Sequence, residues 1–98
     1  MFVDFTAAWC VTCQVNEKVA LGAAEVTDAF HRTGAIYLRA DWTNRDAAIE
    51  RALAAQGRIG VPLYLVYGTD GGAPKVLPQL LTPGLVAKAL YAASPPPN

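Results

Sequence analysis

A surplus of either charge is missing from this chain. Eight basic and eight acidic residues cancel, so nothing points to a nucleic acid or an acidic substrate. Long apolar runs are missing too: none approaches the roughly 18 residues of a membrane span, and no signal-peptide pattern is visible. Histidine occurs once, as His31, and cysteine twice, as Cys10 and Cys13. Two cysteines are too few for a disulfide scaffold. Two cysteines and a histidine also fall short of the four ligands of an intramolecular zinc site. Covalent haem attachment needs a histidine directly after the second cysteine, and position 14 is glutamine. No internal repeat is present.

Hydrophobic residues make up 53% of 98 residues, enough for the core of one small domain. The stretch Trp9-Cys10-Val11-Thr12-Cys13 organises the rest. If Cys10 opens a helix, Cys13 lies on the same helix face, and the pair can close into a disulfide with little backbone movement. A helix N-terminus also favours a thiolate at Cys10.

The flanking sequence supplies the frame. Residues 2–7 read as a short central strand, apolar except for Asp4 and Thr6. Residues 10–21 read as a helix with Val11, Val15, Val19 and Leu21 as its apolar positions, stopped at Gly22. A second helix is expected over 23–32 and a second strand over 35–42. Thr43 reads as the N-cap of a helix running to about residue 56, with Gly57 past its end. Residues 61–67 and 74–79 read as a β-hairpin about the 68–72 turn. Thr82-Pro83 reads as the cap and first residue of a last helix to about residue 93. The order β-α-α-β-α-β-β-α predicts an α/β fold, a mixed sheet flanked by helices. The dithiol then lies at the C-terminal end of the first strand, where open α/β sheets place their sites. The expected domain is 1–93, with 94–98 a disordered proline-rich tail. The abrupt start at Met1 reads as a domain cut from a longer chain.

Three further positions carry chemistry. Asp4 precedes Cys10 by six residues. On an edge strand it would sit in water. On a central strand it is a buried carboxyl with a raised pKa, lying beneath the dithiol as proton donor and acceptor. Glu17 falls on the helical stripe of Cys10 and Cys13; it either pairs in solvent with Lys18 or Lys88 or forms an acidic pair with Asp4 that opposes thiolate formation. Pro62 opens an otherwise apolar strand, which marks an edge or a special turn. Trans is the ordinary state of the Val61-Pro62 bond; a cis bond would present the Val61 backbone to an extended peptide. Trp9 is expected to shield the dithiol, Trp42, Tyr64 and Tyr67 to be core or rim, and His31 to be on the surface. A copper carrier is the rival function, because soft thiolates select Cu(I).

VDFTAAWCVTC at 3–13 with GVP at 60–62 resembles the thioredoxin superfamily. Adding Glu17, ADWTN at 40–44 and GVPLYLVY at 60–67, the chain is similar to the C-terminal periplasmic domains of the DsbD family. The resemblance implies a thioredoxin-like fold and protein-disulfide reductase activity without metal or organic cofactor. It implies Cys10 as exposed nucleophile, Cys13 as resolving thiol, Asp4 and Glu17 as the acidic pair, and Pro62 as a cis-proline. It further implies a monomeric periplasmic domain of an inner-membrane protein, with a membrane-embedded electron donor and a periplasmic thioredoxin-like acceptor, in a setting such as cytochrome c biogenesis. The dipeptide between the cysteines is Val-Thr rather than the Gly-Pro of ordinary thioredoxins, so their redox poise does not carry over. The strand and helix that commonly precede this core in the family have no counterpart in these residues.

Overall fold

The computed structural model describes residues 1–94; the proline run expected as a disordered tail lies, from residue 95 on, outside the described residues. Four strands, β1 (Phe2–Thr6), β2 (Tyr37–Asp41), β3 (Leu63–Val66) and β4 (Lys75–Val76), form one sheet in the order β2-β1-β3-β4. β1 is central. It pairs parallel with β2, bringing Asp4 opposite Arg39, and antiparallel with β3, bringing Asp4 opposite Tyr64. β3 and β4 form the expected hairpin, although β4 is shorter than the sequence pattern suggests.

Alternation along β1 divides the core in two. Phe2 faces Tyr64, Val66 and the helices α2 (Ala24–Thr33) and α4 (Pro83–Ala93), with Val26, Ala29, Val86 and Leu90 buried among them. Phe5 faces the opposite way, toward Leu63, Leu65, Trp42 and Leu53 of α3 (Ala47–Ala55). Helices therefore cover both faces of the sheet.

The caps follow local chemistry. Thr82 accepts a hydrogen bond from the Leu85 N–H, and Pro83 begins α4. Gly34 ends α2 at φ 69°, a left-handed conformation that costs glycine nothing. The N-cap of α3 is Asp46, not Thr43: the Asp46 carboxylate accepts from the Ala48 and Ile49 N–H groups. Thr43 is engaged elsewhere, as described below.

The helix after the dithiol differs most from its sequence pattern. An α-helix, α1 (Val11–Asn16), continues as a π-helical segment, Glu17–Leu21. The Gly22 N–H closes that segment on the Glu17 carbonyl at 2.8 Å. A Cβ at residue 22 would lie 3.0 Å from the same carbonyl oxygen, so glycine suits this approach. Val11, Val15 and Val19, expected as the apolar stripe, are 72%, 46% and 56% exposed. The buried positions are Cys13, Asn16 and Ala20. Those three also share a face, at spacings of three and four, but only one of them reads as an ordinary core residue.

Candidate active site

Cys10 closes β1's exit loop and caps α1. Its backbone is extended and its sulfur accepts the Cys13 N–H at 3.2 Å. The two sulfurs are bonded as a disulfide, with the Cα atoms 5.3 Å apart, inside the ordinary range for such a bond. Cys10, expected as an exposed nucleophile, is buried at 7% exposure beneath the packing of Val61, and Cys13 is buried more deeply at 1%. Ala7 is buried with them and Val61 packs against the pair. The Val61-Pro62 bond is cis, and Val61 lies just before the first ladder residue, Leu63. The dithiol and the GVP segment, far apart in sequence, thus meet in space.

Trp9 is half-exposed and fixed on three sides. Its indole N–H donates to the Thr43 carbonyl at 3.0 Å. Its ring lies 5.8 Å from that of Trp42, and the Arg45 guanidinium sits 4.9 Å from the Trp9 ring and 5.0 Å from the Trp42 ring. The Thr43 hydroxyl accepts the Ala8 N–H at 2.9 Å and donates to the Asp41 carboxylate. The Thr43 hydroxyl and the Thr43 backbone N–H, both donating to Asp41, hold its carboxyl below the usual range. The segment Asp41–Arg45 is therefore a brace for the loop carrying Cys10. Thr43 thus braces this loop instead of capping α3, and an arginine at φ 54° between two tryptophans leaves no mark in a single sequence.

Asp4 is 1% exposed, which rules out a solvated edge position. Burial pushes its carboxyl above the ordinary 3.8; the hydrogen bond from Tyr37 opposes this, the Glu17 charge adds to it and the Arg39 charge subtracts. The Tyr37 O–H donates to Oδ2. Oδ1 is buried with no partner. Glu17 pairs with neither Lys18 nor Lys88, the partners expected for a solvated carboxylate. Its Oε1 lies 3.4 Å from Arg39 Nη2, and its backbone N–H bonds the Cys13 and Gln14 carbonyls. The acidic pair therefore joins the dithiol helix through Glu17 and the edge strand through Tyr37 and Arg39.

Asn16 is a residue the sequence reading missed. Fully buried, it donates to the Tyr64 phenol oxygen at 2.9 Å and the Gln79 carbonyl at 2.7 Å, and accepts the Leu81 N–H at 3.0 Å. It ties the dithiol helix to β3 and to the segment leading into α4. Burial, partly offset by the Asn16 bond, pushes the Tyr64 phenol up to about 12. His31 is exposed on α2, as expected. Tyr64 and Trp42 are core residues.

The thioredoxin-like family matches residues 1–69, a span that holds the dithiol, Asp4, Glu17 and the cis-proline. The chain belongs to the thioredoxin-like family. Within it, the chain is 37% identical over 71 residues to the thiol:disulfide interchange protein DsbD of Pseudomonas sp. (strain JR1 / K1). It is 34% identical over 71 residues to the DsbD of Cronobacter sakazakii. Each alignment covers 72% of this chain and 12% of the relative. The oxidised C-terminal domain of Neisseria meningitidis DsbD superimposes with a TM-score of 0.77 over 95% of this chain and 78% of that one, at 22% identity. Its reduced form gives 0.75 over 95% and 79%. The thioredoxin-like fold expected from the motifs is thus the observed one, and the chain is a DsbD-like domain with a CxxC disulfide. No helix among the described residues is long and apolar enough to cross a membrane.

Proposed function

We propose that this domain catalyses thiol–disulfide exchange, accepting electrons from a membrane-embedded donor and passing them to periplasmic thioredoxin-like proteins. The observation that carries the reading is the cap geometry. Cys10 sulfur accepts a backbone N–H at the start of a helix, an arrangement that stabilises a thiolate there once the disulfide is reduced. Cys13 is the more deeply buried sulfur, which suits a resolving thiol.

The reduced Cys10 thiolate attacks a sulfur of the acceptor's disulfide. A Cys10–acceptor bond forms and the acceptor's other sulfur leaves with the electron pair. Cys13 gives up its proton and attacks Cys10 sulfur. The Cys10–Cys13 bond re-forms and the acceptor departs as a dithiol. Asp4, buried with a raised pKa, is the group assigned to take the Cys13 proton, with Glu17 opposing charge on the resting dithiol. Val61 packs against the cysteine pair, Trp9 is assigned to shield the attacking sulfur, and the cis Val61-Pro62 bond offers the Val61 backbone to an extended stretch of the partner. The dithiol needs no cofactor for these steps. Similarity to the DsbD relatives supports thiol–disulfide interchange; the relay direction, a periplasmic setting in an inner-membrane protein and a monomeric state belong to the same proposal.

Equilibration of the Cys10–Cys13 couple with glutathione tests the direction. A reducing potential is expected; one near the about −120 mV of a dedicated disulfide donor overturns the relay. A thiol count after adding oxidised acceptor, with and without Cu(I), separates exchange from copper carriage.

A further inference from the structure

The acidic pair has partners that the dithiol chemistry alone does not call for. Tyr37 and Arg39 lie two residues apart on the edge strand β2, on one face of the sheet. Tyr37 bonds Asp4 and Arg39 pairs with Glu17. Asp4 sits on the neighbouring strand in register with Arg39. The groups facing it are Tyr37 and Arg39 from β2, Glu17 from the dithiol helix and Tyr64 from β3. The Tyr37 ring is itself pinned, stacked on Phe2 at 5.7 Å and edge-on to Phe30 at 5.7 Å. A groove lined by Glu17, Leu21, Thr27, Phe30, His31 and Tyr37 opens beside this residue on the side of α2.

A carboxyl has two oxygens, and here they are unequal. Oδ2 is occupied by the Tyr37 hydroxyl, whereas Oδ1 is buried and unpartnered. A donor on one oxygen leaves the other as the position for a proton. We propose that Tyr37 is a positioning residue for the dithiol chemistry: by holding Asp4 Oδ2 it makes Oδ1 the single atom through which the buried carboxyl takes and returns a proton. This deepens the exchange function proposed above and rests on it. In the resolving step the Cys13 S–H proton passes to Oδ1, the Cys13–Cys10 bond forms, and the partner's sulfur leaves with the electron pair. The proton later goes from Oδ1 to solvent.

Tyr37→Phe tests this, because it deletes only the hydroxyl and keeps the ring against Phe2 and Phe30. The carboxyl carbon of Asp4 is followed by NMR against pH in the reduced domain, alongside the pH profile of exchange with an oxidised acceptor. The Tyr37 bond favours the carboxylate, so its loss is expected to move the Asp4 midpoint upward. The limb of the exchange profile governed by that carboxyl should move the same way, with the rate on it falling roughly tenfold, the size of a hydrogen bond to a charged group. An unmoved Asp4 midpoint overturns the role of Tyr37. A midpoint that moves while the exchange profile stays fixed overturns it also, by showing that Asp4 is not the proton carrier; thiol exchange itself would stand. Arg39→Gln provides a contrast: it removes a charge that also lowers the Asp4 carboxyl, ranked below the Tyr37 bond, and leaves Oδ2 occupied, so it should move the midpoint the same way but by less. If Arg39→Gln shifts the midpoint and slows exchange as much as Tyr37→Phe does, general electrostatics rather than the hydrogen bond is at work, and the proposal fails.

Discussion

Two helices pack on the same face of the sheet and are built on opposite terms. α4 follows the usual rule. A threonine caps it, a proline starts it, and Val86, Ala87, Ala89 and Leu90 go into the core. The dithiol helix is capped by a cysteine sulfur, buries Cys13, Asn16 and Ala20, and leaves three valines in solvent. α4 is held by the area it removes from water. The dithiol helix is held by the three hydrogen bonds of Asn16, the cysteine cap and the π-helical closure at Gly22. A helix fixed by directional bonds keeps its sulfurs and Glu17 at set positions without presenting a large apolar face inward.

The most severe break in this contrast is chemical. Cys10→Ser is expected to abolish exchange, while Cys13→Ser leaves a stable mixed disulfide through Cys10. Non-reducing electrophoresis and mass spectrometry after mixing with an oxidised acceptor decide it. Trapping through Cys13 instead would reverse the assigned roles.

Stability separates the helices next. Leu90→Ala should cost about 2–5 kcal/mol in urea unfolding, the transfer and cavity cost of a buried leucine. Asn16→Leu, of similar size but without the bonds, should cost about 2–4 kcal/mol, because Tyr64, Gln79 and Leu81 lose partners while buried. If Asn16→Leu is neutral, the dithiol helix is held by packing after all and the contrast collapses.

A smaller effect runs the other way. A folded carboxyl with a raised pKa contributes stability that is complete below the unfolded value, near 3.8 for Asp4. That contribution is lost as pH rises through the higher folded value. Asp4→Asn should therefore remove this fall and add about 1–2 kcal/mol at neutral pH, while slowing resolution by Cys13. Urea titrations at acid and neutral pH check the sign; a variant equally destabilised at both would show Asp4 to be a structural anchor.

The smallest effect sharpens the comparison at the surface. Val15→Ala, on the exposed stripe, should change stability by no more than about 0.5 kcal/mol, against the large cost at Leu90. A loss comparable to that of Leu90→Ala would mean that the valines are covered in solution.

Much of this domain was legible before folding. The strand leading to the dithiol, the cysteine at a helix start, the Gly57 stop, the hairpin and the Thr82-Pro83 cap are local matters, set by backbone conformations and side chains within a turn of one another. Asp4 was legible because a carboxylate in an apolar strand is costly wherever that strand is central. In the dithiol helix hydrophobicity does not mark burial: its valines match a helical stripe, but the sheet lies on the side of Cys13 and Asn16. Tertiary structure alone decided the rest. Tyr37 reaches Asp4 through strand pairing across 33 residues, Asn16 reaches Leu81 across 65, and Arg45 finds Trp9 because the Asp41–Arg45 segment folds beneath it. Local sequence carries no trace of such meetings, since each depends on register and packing rather than on the conformational preference of either residue.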